Sequence, residues 1–275
     1  MESEGNLARD VLTMRASDNS IVKIEICNAL ASTAAVAREY ARVGVPDRYV
    51  VFTERRIISD DGECEEGVYM SLVLRPSFFP SEANLLGAMS ATSLLLALEE
   101  HTSRRLGLGW VSDIYCEGAK IGAVTLEGRL DNWGGYDYLI VTFEAKLDKK
   151  DFPPLLMDMI RRVFEPDNQS IAIIIAKNIL NRFFPFYVNI KTSKKFMETY
   201  TRRFILRGAR IKHTEGTKKR TRRVLGVDLK TGALILDGGK RRVASTDGSV
   251  ADSRIFVTSP RSVIMPKRVR LRKQN

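Results

Sequence analysis

Apolar positions along this chain change their period several times, and the changes outline its elements. Recurrence at three or four residues predicts helices over Ser32 to Val43, Glu82 to Arg105, Phe152 to Phe164, Ser170 to Phe184 and Ser193 to Phe204. Ser32, Ser81 and Asp151 stand where helix N-caps belong, and Gly44 stops the first helix. Runs rich in β-branched and aromatic residues predict strands over Val22 to Cys27, Tyr49 to Phe52, Val68 to Leu74, Leu108 to Ile114, Lys120 to Leu126 and Tyr138 to Phe143. After Gly208 the texture turns to short strands with turns at Lys230-Thr231-Gly232 and Asp237-Gly238-Gly239, the pattern of a small barrel-like β domain. The expected fold class is α/β (α+β): a mixed sheet packed with helices, plus a small C-terminal barrel-like β domain. The expected division is an N-terminal segment over 1–20, a main domain over 21–205, the small β domain over 206–258 and a basic tail over 259–275. That tail shows no core-forming pattern and is expected to be disordered.

The stretch Gly109 to Glu127, GWVSDIYCEGAKIGAVTLE, reads as a buried strand, a charged turn at Glu117-Gly118, and a second buried strand entered at Lys120. This places Asp113 and Lys120 close together at a sheet end. Such a carboxylate can hold a metal, and such a lysine can stabilise charge developing on a phosphoryl or acyl oxygen. The alternative is a surface ion pair flanking a hairpin.

The same stretch resembles the biotin protein ligase signature, in which a KWPND element is followed by a KIGGIL-type strand and a glutamate. Trp110, Asp113, Ile114, Lys120, Ile121, Gly122 and Glu127 fall in that register without a gap. Gly109, Val111, Ser112 and Ala123 stand where the family has lysine, proline, asparagine and its second glycine. The resemblance runs from about Ile21 to Val250. Ala31-Ser32-Thr33-Ala34 resembles the family's STN turn, although N-capping alone also accounts for Ser32. Gly67 to Pro76 resembles the strand after the adenylate loop, and Glu82 to Arg105 the long helix on the sheet. Val224 to Leu236, VLGVDLKTGALIL, resembles the terminal β domain and favours biotin over lipoate ligases.

The resemblance implies a biotin/lipoate ligase-like catalytic domain over 21–205 that uses biotin, ATP and magnesium. Biotin's carboxylate attacks the α-phosphate of ATP, giving biotinyl-AMP and pyrophosphate. A lysine on the biotin carboxyl carrier domain of a carboxylase then attacks the mixed anhydride. On that reading Lys120 and Asp113 are the catalytic pair, and Asp113 also holds magnesium. Ser32, Thr33, Arg55, Arg56, Gly122 and Ala123 contact biotin, while Trp110, Asp113, Lys120 and Lys146 face ATP.

Two departures cut against that chemistry. Where the family has a GRGRRG-type loop, this chain reads TERRIISDDGECEEG, keeping Arg55 and Arg56 but adding five acids from Asp60 to Glu66. Glycines in such a loop let backbone amides approach phosphate, and acids repel a triphosphate. Where the family has a GIGIN strand lining the pocket, this chain has VTFEAK, so Thr142 and Glu144 fill space left by glycine and Lys146 replaces asparagine. Two functions from different classes therefore stand: a divergent ligase, or a non-catalytic paralogue that binds a carrier protein, another small ligand or nucleic acid.

Composition bounds the rest. With 275 residues and 44% apolar content the chain can bury a sizeable core. No apolar run of membrane-spanning length and no signal-peptide pattern stand out, so a cytoplasmic location without membrane contact is expected. Cys27, Cys64 and Cys116 suit reduced thiols, and neither zinc nor haem is expected. With only His101 and His213, a histidine-based metal site or triad is not expected. Residues 191–275 hold 24 Lys and Arg against 6 Asp and Glu, a net +18, while residues 1–190 hold 20 against 27, a net −7. Lys218 to Arg223, Lys240 to Arg242 and Lys267 to Lys273 are phosphate-contact candidates for nucleic acid or another acidic partner, or else solubilising charge. No aromatic residues interleave them for base stacking. No helix-turn-helix pattern precedes Ile21, so a repressor role is not expected; a homodimer stays open.

Overall fold

The structure is a computed structural model that describes residues 8–80, 85–147, 170–191, 195–215, 218–230, 232–237, 242–243, 255–258 and 263–264. The predicted helix Phe152 to Phe164, the caps Ser81 and Asp151, and the basic run Lys267 to Lys273 lie outside these residues.

One large mixed sheet organises the chain. Its strands are β1 (Ala8–Arg15), β2 (Ile21–Cys27), β3 (Tyr49–Ile57), β4 (Cys64–Leu74), β5 (Leu106–Leu108), β6 (Asp113–Cys116), β7 (Ala119–Leu130) and β8 (Tyr136–Lys146), in the order β1-β2-β3-β4-β8-β7-β6-β5. Only β2 and β3 run parallel along this path, and helix α1 (Thr33–Arg42) makes their crossover. Ser32 caps that helix as its sequence suggests, its Oγ accepting from the Ala35 N–H at 3.2 Å.

Alternation along β4 and β8 gives the sheet two distinct faces. Val68, Met70, Leu72, Leu139, Val141 and Phe143 face one way, into the main core with α2 (Leu86–Glu99) and α3 (Ile171–Val188). Apolar nearly all round, α2 is buried nearly all round, as such a helix must be. On the opposite face Ala37 and Ala41 of α1 pack on Val51, Val73, Tyr138 and Ile140. The α1 face is where β4 and β8 turn their polar residues.

Several boundaries differ from the sequence expectation. Residues 8–15, within the expected N-terminal segment, are not separate: β1 pairs antiparallel with β2 along the sheet edge. The predicted strand Leu108 to Ile114 is two strands, β5 and β6, folded back on each other in the register Leu106↔Cys116. Gly109 allows this reversal, since a Cβ there would stand 2.7 Å from the Tyr115 ring. The helix expected from Glu82 ends at Glu99, well short of Arg105. Helix α3 continues through Pro185 to Val188. It is long and apolar enough to cross a membrane by length and composition, yet Ile173, Ile175, Ile179, Phe183 and Phe184 are buried in the core.

C-terminally, α4 (Lys195–Arg203) leads into β9 (Arg210–Glu215), β10 (Lys218–Val227), β11 (Leu234–Leu236), β12 (Arg242–Val243), β13 (Ile255–Thr258) and β14 (Val263–Ile264). Five of them form a second sheet in the order β12-β11-β10-β9-β14, while β13 pairs with β7 of the large sheet. Val263–Ile264, within the tail expected to lack order, pairs with β9. Trp110 links the two sheets: its ring is buried and its Nε1–H donates to the Gly232 carbonyl at 2.9 Å. Trp133, at the β7–β8 connection, is 86% exposed.

Candidate functional site

The β6–β7 hairpin forms as its sequence predicts. Glu117 and Gly118 both take positive φ, 50° and 88°, and Cys116 pairs with Ala119 across this two-residue turn. A register shift between Ile114 and Tyr115 brings Lys120 back toward Asp113. Lys120 Nζ stands 2.7 Å from Asp113 Oδ1, with 49% of the lysine side chain and 21% of the aspartate exposed. That exposure makes the pair worth about 0–1 kcal/mol to stability, so its value lies in placing charge.

Next to it on the α1 face lies a closed polar network. The register sets Tyr69 opposite Glu144, Gly67 opposite Lys146 and Ser71 opposite Thr142, with Ala123 on the other side of Glu144. The Tyr69 ring leans over Gly67, where a Cβ would stand 2.9 Å from ring carbons. The Arg56 guanidinium in turn covers that ring, 4.7 Å from its centroid. Arg56 pairs with Glu65 and, at 3.0 Å, with Glu144; Lys146 Nζ reaches Glu65 at 2.5 Å, and Tyr69 OH donates to Glu65 at 2.9 Å. Burial pushes the Tyr69 phenol up, and its bond to Glu65 pushes it further, so it remains a donor at neutral pH. Beside this network, Thr33, Ser71 and Thr142 form a buried chain of hydroxyls linked at 2.8 Å and 2.8 Å.

The structure brings together some of the residues singled out in the sequence and separates others. Asp113, Lys120, Ala123, Arg56, Lys146 and Thr33 share the α1 side of β3, β4, β6, β7 and β8. Ser32 is exposed and occupied as the α1 cap. Arg55 is exposed, not turned inward. Gly122 abuts the β8 backbone, where a Cβ would stand 2.7 Å from the Glu144 carbonyl oxygen. Trp110, expected beside ATP, is a buried strut, and its segment is clamped by Tyr200 OH, which donates to the Val111 carbonyl at 2.9 Å. Glu127 is taken by Arg38 of α1. Sequence reasoning did not find Glu65 or Tyr69. Their signal was the alternation of CEEGVYMSL, which puts Glu65, Tyr69 and Ser71 on one face.

The cations on this face are paired with carboxylates. Binding a triphosphate needs unpaired cations or backbone amides aimed at it, and Arg56, Lys146 and Lys120 each already hold a carboxylate. Among the described residues no three His, Cys, Asp or Glu side chains gather as a metal site. Asn28 Oδ1 is a buried acceptor without a hydrogen-bond partner among the described residues, but one orphan acceptor makes no phosphate site.

No protein-family profile and no curated protein sequence matches the chain. Solved structures do. The biotin protein ligase from Aquifex aeolicus, in complex with biotin and ATP, superposes with a TM-score of 0.60 at 18% identity, over 85% of this chain and 97% of that one. The biotin acetyl coenzyme A carboxylase synthetase from Helicobacter pylori gives 0.53 at 15% identity, over 78% and 97%. A biotin protein ligase-like protein of unknown function from Silicibacter sp. gives 0.55 at 15%, over 81% and 93%. This chain has the biotin protein ligase fold. At such identities the likeness concerns backbone, and what the biotin protein ligase fold does here depends on the side chains of its cleft. The α2 side has a hollow of different character, lined by Leu98, Leu106, Ile121, Ala145, Leu147 and Ile175 with His101, whose imidazole burial holds below its ordinary pKa.

Proposed function

We propose that this protein uses the biotin protein ligase fold as a non-catalytic binding scaffold, its cleft filled by its own side chains. The observation that carries this reading is the Arg56–Glu65–Glu144–Lys146 network laid over Tyr69 and Gly67. In it the cations that would meet an adenylate are neutralised from within. Opening it for a ligand would break the bonds that Glu65, only 11% exposed, accepts from Arg56, Lys146 and Tyr69, at about 1.5–3 kcal/mol for a charge-assisted hydrogen bond. Work is then left to the outer surfaces, which suit a macromolecular partner.

A second reading, a divergent ligase that activates biotin with ATP and magnesium and transfers it to a carrier-domain lysine, keeps one observation in its favour. Lys120 and Asp113 remain side by side at 2.7 Å. Calorimetric titration with biotin, then with ATP and magnesium, separates the two, run beside a Lys120→Ala variant. No heat and no pyrophosphate exchange are expected. Biotin binding that tightens with ATP and disappears in the variant would establish the ligase instead.

A further inference from the structure

Among the described residues no cation of the basic C-terminal third joins the cleft network, and the second sheet organises part of that third. In the β9–β10 ribbon the register pairs Arg223↔Arg210, Thr221↔Lys212, Lys219↔Thr214, Arg220↔His213 and Lys218↔Glu215. Arg210, Thr221 and Arg223 are exposed, whereas Ile211 and Val224 are buried, which fixes the parity of the outer positions. Lys212 and Lys219 occupy backbone register positions of the same parity as Arg210 and Arg223. Arg207 lies alongside β10, its Nη2 standing 3.9 Å from where a Cβ on Gly226 would be.

Two arginines directly opposite on neighbouring strands repel each other, an arrangement that costs stability unless an anion lies across it. Among the described residues neither Arg210 nor Arg223 forms an ion pair. The adjacent carboxylate, Asp237 Oδ1, is engaged by the Arg223 backbone N–H at 2.9 Å. Outer positions along one strand recur about every 7 Å, near the spacing of successive phosphates on a sugar–phosphate chain.

We infer that the β9–β10 ribbon, through Arg207, Arg210 and Arg223, is a binding surface for the phosphate backbone of a nucleic-acid duplex. A two-stranded ribbon fits a duplex major groove. Residues 205–254 contain no Phe, Tyr or Trp, which disfavours single strands held by base stacking and membrane surfaces anchored by interfacial aromatics. Contact is with phosphate, so binding is independent of base sequence. This inference does not rest on the state of the cleft.

The test is fluorescence anisotropy of the full chain with labelled 24-base-pair DNA and RNA duplexes of arbitrary sequence, from 50 to 200 mM KCl. Binding of either duplex should weaken linearly in log–log form, and R210Q/R223Q should weaken it at least tenfold at 50 mM. That variant should also reduce the salt slope by about 1.8, at about 0.9 for each phosphate no longer neutralised, with an unchanged circular dichroism spectrum. An R207Q variant should reduce the slope by about half as much. The inference is overturned by any of four results: no duplex binding at 50 mM; tighter binding to a 24-nucleotide oligothymidine; binding to phosphatidylserine vesicles in place of duplex; or a slope insensitive to R210Q/R223Q that disappears on replacing Lys267, Arg268 and Arg270 with Gln.

Discussion

Three donors converge on the two oxygens of Glu65: Lys146 on one, Arg56 and Tyr69 on the other. Burial alone would raise this carboxyl, but the bonds from Lys146, Tyr69 and Arg56 outweigh it and hold the pKa below its ordinary 4.5. A carboxyl held low in the folded state contributes stability that is complete above 4.5 and is lost as the pH falls through the lowered value. Glu65→Gln should therefore be less stable than the parent by about 1–3 kcal/mol at pH 7, with the gap closing as the pH falls below 4.5. Urea midpoints across that range check it, and a gap indifferent to pH would show that Glu65 acts by shape alone. Cys27 illustrates the opposite case, where burial, then the nearby Glu25, pushes the thiol up to about 11 and leaves it unreactive at neutral pH.

At the scale of elements, the packing of β4 on β8 decides whether the cleft can exist. A Cβ on Gly67 would stand 2.5 Å from the Ala145 carbonyl oxygen, a backbone atom that cannot move without opening the pairing. Gly67→Ala is expected to cost about 1–3 kcal/mol and to unseat the Tyr69 ring, read as a lower urea midpoint; an unchanged midpoint would mean the strands separate freely. Much of this layer was legible in the sequence. Glu117-Gly118 announced its turn and Ser32 its cap. The break between β5 and β6 was hidden because Leu108 to Val111 continues the apolar run of β5, and periodicity does not show where a buried run reverses. Strand β1 was hidden for the opposite reason: on a sheet edge its Val11 is 57% exposed, so alternation carries little signal.

Across the whole molecule the chain divides its charge, with an acidic body and a basic C-terminal third. The body's fold could be anticipated from local pattern and motif. How the second sheet attaches could not, because the bond from Trp110 to Gly232 spans 122 positions and involves a backbone carbonyl that leaves no mark on residue identity. That same bond makes the molecule its own optical reporter. The chain has two tryptophans, Trp110 at 1% exposure and Trp133 at 86%, so emission should split into a blue, iodide-resistant component and a red, quenchable one. Trp133→Phe should remove the red component alone, and equal quenching of both would contradict the buried strut. In that variant the remaining light comes from the seam between the two sheets, so a red shift at urea concentrations below the loss of far-ultraviolet signal would time their parting.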